Sequence, residues 1–251
     1  MRSKNTTKSV YSKTIISGNI IEIFEYENPY LKGYQNRATQ KGRACSISTD
    51  EKTKEDNREK VMYRARSRIR RLANANPQLT KFLTLTFAEN ITDLKIANKM
   101  FCAFIKRLNY YSQKTYLTNK IEYIAVVEFQ KRGAIHYHLL CSLPYTPAKE
   151  IERIWKHGFV KINKIDDVDN IGAYITKYMT KDDHDERLIG NRSFFTSQGL
   201  NEPVEIINET FEVQEKSLAR EPYKTTFFNE QLGNITYTQY VLDKTTFTTE
   251  N

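Results

Sequence analysis

The residues best suited to chemistry in this sequence form one tripeptide, His136-Tyr137-His138. Side chains alternate along a β-strand, so both imidazoles would lie on one face while Tyr137 points to the other. Two neighbouring imidazoles are a typical beginning of a divalent-metal site. The competing interpretation is a half-buried strand whose two histidines face solvent.

A carboxylate is predicted to join the two histidines. Residues 121–129 are rich in β-branched and aromatic side chains, which predicts a strand, and 130–133 form a polar turn that ends in glycine. If the last three residues of that turn form the loop, Glu128 lies opposite His136 and diagonal to His138. The predicted metal ligands are therefore His136, His138 and Glu128. A register shifted by one residue would turn Glu128 to the opposite face.

A second reactive group is predicted on a helix that starts around 166–169 and runs through Lys181. Tyr174 and Tyr178 lie one turn apart at the edge of its apolar stripe. Lys177 and Lys181 each follow a tyrosine by three residues, on nearly the same face. The alternative is that the tyrosines border a buried face while the lysines are solvated.

Together these groups favour chemistry on a phosphodiester. A metal ion would polarise the scissile phosphate and neutralise developing charge. A tyrosine oxygen would attack phosphorus and form a covalent phosphotyrosine. A phenol with a pKa of about 10 is mostly protonated at neutral pH, so a neighbouring lysine is expected to stabilise the phenolate or the developing charge.

The composition indicates a folded protein with a polyanionic partner. The 251 residues include 39 Lys and Arg against 30 Asp and Glu, a net charge of +9, which favours nucleic acid first and an acidic membrane second. No apolar run is long enough to span a membrane, and the N-terminus has no apolar segment typical of secretion. Three widely spaced cysteines fit neither a disulfide framework nor a zinc pattern, and they favour a reducing cytoplasm.

The elements around the reactive residues predict an α+β domain. A strand at 82–87 and a helix over 93–108 precede the Glu–His hairpin. A short helix capped by Thr146, with Pro147 at its first position, and a strand after Gly158 follow it. This β-α-β-β-α-β order is the ferredoxin-like, split βαβ arrangement, with an antiparallel sheet and helices on one face. The other face is expected to stay open, so that the histidines look out of it.

The flanking segments carry weaker patterns. Residues 10–26 predict two strands around a Ser-Gly-Asn turn, and 203–251 predict a few strands or a loosely attached tail. A helix is predicted over 56–74, either as a solvated face or as a helix that lies along phosphates. Its basic residues are Arg58, Lys60, Arg64, Arg66, Arg68, Arg70 and Arg71.

Three motifs in order resemble the HUH endonuclease superfamily, in particular the replication-initiation (Rep) proteins of rolling-circle plasmids and phages. They are F-L-T-L-T-F at 82–87, the His-hydrophobic-His motif at 136–138, and Tyr-x-x-Lys, which occurs twice from Tyr174 to Lys181. The resemblance covers about residues 80–182. The tyrosines follow the histidines, as in Rep proteins and unlike relaxases.

The resemblance implies a metal-dependent enzyme that nicks and joins single-stranded DNA at an origin through a 5′-phosphotyrosine. Mg²⁺ or Mn²⁺ would be held by His136, His138 and Glu128. Tyr178 is the favoured nucleophile, since Lys181 completes the longer motif, and Tyr174 is the second candidate; both neighbouring lysines would assist them. Single-stranded and origin DNA are the implied partners, with a host helicase and the replication machinery as further candidates, in the cytoplasm of a bacterial host.

The implied division of the chain is an N-terminal extension (1–78) with a β-hairpin and a basic helix, an HUH nuclease core (79–185) and a C-terminal extension (186–251). No Walker A motif is present, so no fused helicase domain is expected. Two alternatives stay open. One is an HUH-type transposase of an insertion element, and the other is a non-catalytic nucleic-acid-binding protein with an open sheet face.

Overall fold

The computed structural model describes residues 7–33, 51–118, 120–130, 132–165, 168, 170–179, 186–188 and 191–243. In chain order the elements are β1 (Lys8–Ser17), β2 (Ile20–Lys32), α1 (Glu51–Asn74), β3 (Lys81–Thr86), α2 (Leu94–Tyr116), β4 (Tyr123–Phe129), β5 (Ile135–Cys141), α3 (Ala148–Trp155), β6 (Val160–Lys164), α4 (Ile171–Thr176), β7 (Phe194–Thr196), β8 (Val204–Ile207), β9 (Tyr223–Asn229) and β10 (Gly233–Val241). Short 3₁₀ helices cover Glu186–Leu188 and Glu215–Ser217. Among these described helices, none is long and apolar enough to cross a membrane.

The chain forms two compact units. One contains Met1–Lys54 and Glu202–Asn251, and the other is Glu55–Asn201. The segments predicted as two separate extensions therefore share the first unit. The segment predicted as the core, 79–185, lies within the second unit, which also takes in most of α1.

The first unit is built on a five-stranded antiparallel sheet in the order β8-β1-β2-β10-β9. The predicted turn between the first two strands is confirmed, with Gly18 at a φ of 58° that favours glycine. Both strands extend beyond the predicted 10–26 segment. The C-terminal strand β10 pairs with β2, so the predicted C-terminal strands complete the N-terminal sheet.

The second unit holds a five-stranded antiparallel sheet in the order β6-β3-β5-β4-β7. Its element order, β3-α2-β4-β5-α3-β6, matches the predicted order, and the α+β class is confirmed. The short strand β7 extends the sheet beside β4 and was not predicted. Helix α2 also continues past the predicted end at Leu108, to Tyr116.

The expectation of an open sheet face is wrong. Helices α2 and α3 cover one face, where Tyr137 and Trp155 are fully buried. On the other face, α1 and α4 pack against the sheet, and Phe82 and Leu140 are buried there with Ile69 of α1. Strands that are apolar at both odd and even positions have to be covered on both faces. The histidines therefore lie beneath a second layer of helix.

Two helix boundaries also differ from the predictions. Helix α4 begins at Ile171, after the cap residue Asn170, and ends at Thr176. Tyr178 thus lies in the turn that follows the helix, and Lys181 lies outside the described residues. Thr146 does not cap α3, because its hydroxyl donates to the Pro144 carbonyl at 3.1 Å instead.

Candidate catalytic and metal-binding site

The hairpin of β4 and β5 has the predicted register. Glu128 pairs directly with His136, and Val126 pairs with His138, so Glu128 is diagonal to His138 on the same face. The turn is closed by the Gly133 N–H, which donates to the Gln130 carbonyl at 2.7 Å. The φ of Gly133 is 82°, a conformation that favours glycine. Local turn geometry thus brings the carboxylate and both imidazoles to one face.

His138 is held at both ring nitrogens. Its Nε2 lies 2.6 Å from Oε2 of Glu128, and its Nδ1 lies 3.1 Å from the Thr84 hydroxyl on the neighbouring strand. The residue is only 3% exposed. Because a carboxylate can only accept, Nε2 carries the proton in this arrangement and Nδ1 accepts from Thr84. The ring is fixed in position and in tautomer.

His136 is held less firmly. It is 7% exposed, and its Nδ1 lies 3.4 Å from Nε2 of Gln130. Within the described residues, its buried Nε2 has no hydrogen-bond partner. Burial, followed by the charges of His138 and Arg132, lowers the pKa of His136, while Glu128 partly opposes this. The imidazole is therefore neutral at neutral pH, which is the form that binds metal ions.

The three predicted ligands share one face, but their donor atoms are not grouped around a common point. In the described part of the chain, no three His, Cys, Asp or Glu side chains are placed to hold a metal ion. The direct contact between Glu128 and His138 explains this, since each group occupies the other's ligand atom. The chemistry of two imidazoles, one carboxylate and an unpaired buried nitrogen nevertheless fits a divalent cation.

Both tyrosines lie close to the histidine face. The Tyr178 ring stacks on His138, with centroids 3.9 Å apart and an interplanar angle of 27°. The Tyr178 hydroxyl donates to the Tyr174 oxygen over a long 3.5 Å. Phe82 touches both tyrosine rings, with centroids 5.0 Å from Tyr174 and 5.3 Å from Tyr178. The sheet strand β3 therefore supplies the floor on which the tyrosines rest.

The hydrogen bond to Tyr174 is the main cause that raises the pKa of Tyr178 to about 12, followed by burial and by the negative charges of Tyr174 and Glu128. Tyr178 is thus protonated at neutral pH. As a nucleophile it needs a proton acceptor or a nearby positive charge.

The predicted lysines differ in what the structure says of them. Lys177 is exposed, and its Nζ lies 5.8 Å from the centre of the Tyr174 ring, a cation–π distance. Lys181 falls outside the described residues. The charge of Lys177 is therefore directed at the ring of Tyr174.

Helix α1 anchors the tyrosine segment, a role that the sequence patterns did not reveal. Oδ1 of Asn74 accepts from the Gly172 N–H at 2.8 Å, and Nδ2 donates to Asn170 at 3.1 Å. A Cβ on Gly172 would collide with the Arg70 backbone carbonyl, so only glycine allows this approach. At the other end of the segment, Arg66 donates to the Met179 carbonyl at 3.4 Å.

Phe82 and Thr84 were also missed as site residues, although a signal was present. Both belong to the 82–87 strand, and residues two apart share a face. Because Thr84 pairs with His138 in the sheet, the period-two pattern of that strand could have placed both beside the histidines.

Comparison with known families finds one match. Residues 80–183 match a family of replication-associated proteins, of the ORF2 and gene-2-protein type. The matched segment contains β3 to α4 and all of the predicted site residues, and it excludes α1. Comparisons with curated proteins and with solved structures found no significant match. The family match supports a replication-associated role for this chain.

Proposed function

We propose that this chain is a rolling-circle replication initiator that nicks and joins single-stranded DNA at an origin through a phosphotyrosine. The observation that carries the proposal is the stacking of Tyr178 on His138, which is itself bonded to Glu128. A nucleophile, two imidazoles and a carboxylate thus meet at one place. The match to replication-associated proteins and the net charge of +9 support it.

The strand order of the second unit supports an HUH-type fold. Strands β6-β3-β5-β4 lie in the order produced by a split βαβ unit, with α2 and α3 as the two crossover helices. The central strands β3 and β5 carry Thr84 and the two histidines. In this proposal, α1 and α4 form a lid over the catalytic face, and DNA enters beside them.

His136, His138 and Glu128 would hold Mg²⁺ or Mn²⁺, which would polarise the scissile phosphate as a Lewis acid. For His138 to become a ligand, Nε2 must give up the proton that it now shares with Glu128. That proton can be carried on Nδ1, because the Thr84 hydroxyl can accept as well as donate. Thr84 therefore satisfies either tautomer and keeps the ring in place.

In the cleavage step, a tyrosine oxygen bonds to phosphorus as the bond from phosphorus to the 3′ oxygen breaks. The phenol loses its proton and the 3′ oxygen ends as a hydroxyl, so charge is balanced. The Tyr178 hydroxyl already donates to Tyr174, which gives its proton a first acceptor. Lys177 and Lys181 would offset the developing negative charge. Joining is the reverse of these steps.

The test is incubation of the chain with labelled single-stranded DNA from the replicon that encodes it, with Mn²⁺. A covalent adduct that resists denaturation is expected, and chelation should abolish it. Peptide mapping of the adduct identifies the tyrosine, and Tyr178→Phe and Tyr174→Phe report separately on the two candidates. If DNA is bound but no adduct forms with any divalent metal, the chain is a binding protein and the proposal fails.

A further inference from the structure

The outer side of α1 carries an exposed aromatic residue between two exposed cations. Tyr63 is 72% exposed, and Lys60 and Arg64 are exposed beside it. The inner side of the same helix is apolar, with Met62 and Ile69 buried against the sheet. We name the exposed group Lys60, Tyr63 and Arg64 the α1 outer patch.

The patch continues a row of residues that contact the tyrosine segment. At about 100° per residue, Tyr63, Arg66, Arg70 and Asn74 lie on one side of the helix. The last three contact the segment between Asn170 and Met179. Tyr63 is next in this row, about one helical turn (roughly 5 Å) beyond Arg66. The patch therefore begins where the contacts with the tyrosine segment end.

The chemistry of the patch suits single-stranded DNA. Cations on either side of an aromatic ring can contact the phosphates while a base stacks on the ring. In a duplex the base faces are already stacked and cannot use the ring. An isolated exposed tyrosine on a protein surface requires no explanation. Here, however, the ring is flanked by two cations and is aligned with the predicted nucleophiles.

We propose that the α1 outer patch binds the DNA strand next to the cleavage site, with a base stacked on Tyr63 and phosphates on Lys60 and Arg64. This rests on the proposed function for the location of the cleaved strand. It adds a binding element from a helix that lies outside the segment matched by the replication-associated family.

The chain offers a matched control on α2, which packs on the opposite face of the sheet. Tyr110 is 65% exposed there, and Nζ of Lys114 lies 5.9 Å from the centre of its ring. Lys106, one turn earlier, is also exposed. General electrostatic binding would use both patches alike, whereas the proposed strand path uses only the one on α1.

The experiment measures binding of a fluorescent single-stranded oligonucleotide of mixed sequence, and of the matching duplex, over a range of salt concentrations. Tyr63→Ala should weaken single-strand binding about tenfold, and Tyr63→Phe should retain it. The pair Lys60→Gln with Arg64→Gln should reduce the salt slope by about 1.4, from about 0.7 for each cation on single strands. Tyr110→Ala, and Lys106→Gln with Lys114→Gln, should change neither quantity comparably.

Equal effects of the α1 and α2 variants would overturn the proposal, and so would a loss of duplex binding as large as that of single-strand binding. Adduct formation at saturating DNA is measured alongside and should be unchanged in Tyr63→Ala. If the unmodified chain forms no adduct, the nicking function fails. The binding measurements still decide whether the α1 outer patch holds single-stranded DNA.

Discussion

The close approach of α1 to α4 leads to a direct test through Gly172→Ala. The added methyl group would collide with the Arg70 carbonyl, and α4 would have to move by on the order of 1 Å to restore ordinary contact. Overpacking costs about 1–3 kcal/mol. Loss of the hydrogen bond to Asn74 costs about 1 kcal/mol more, and the better helix propensity of alanine returns about 1 kcal/mol. The net expectation is a loss of about 1–3 kcal/mol in the free energy of unfolding.

The effect on activity should exceed the effect on stability. A displacement of this size at a reacting group lowers rates about 100-fold. Urea unfolding gives the stability, and single-turnover adduct formation well below the unfolding midpoint gives the rate of folded protein. Ala173→Gly is the matched control, because it costs about 1 kcal/mol of helix stability without a collision. The reasoning is refuted if Gly172→Ala forms adduct as fast as Ala173→Gly.

Three further predictions address the site. Thr84→Val should lower Mn²⁺ affinity about 10- to 100-fold in calorimetric titration while Thr84→Ser retains it, and equal affinities would contradict the role of the hydroxyl in holding His138. In alkaline absorbance titrations, Tyr178 should ionise only near pH 12, so its ionisation makes the folded state less favourable as the pH rises from about 10 to 12; Tyr174→Phe should bring the pKa of Tyr178 down, and an unchanged value would exclude the hydrogen bond as the main cause. Arg187→Ala removes a 2.8 Å hydrogen bond to the hairpin turn and a 3.7 Å ring contact, and it should cost about 1–2 kcal/mol in urea unfolding, whereas no change would mean that these contacts do not stabilise the hairpin.

Local patterns were sufficient wherever the interactions were local. The register that places Glu128 opposite His136 follows from strand alternation and from a short turn, and the structure confirms it. The spacing of Tyr174 and Tyr178 likewise predicted that they would lie close together, although their helix is shorter than expected. Their catalytic roles, and the metal, stay predictions.

Contacts between distant segments could not be obtained in this way. The sheet of the first unit pairs β2 with β10, which lie at opposite ends of the chain, and no local pattern specifies such a partner. The covering of the histidine face by α1 depends on how Ile69 and Gly172 fit against other elements.

By itself, the sequence determined which residues are reactive and which of them share a face, because strand and helix periodicity act over a few residues. Only the tertiary structure decided that the histidines are buried beneath α1, that Tyr178 stacks on His138, and that Asn74 anchors the tyrosine segment. Those arrangements arise from packing between elements far apart in the chain, where shape and hydrogen-bond complementarity select one arrangement that periodicity leaves open.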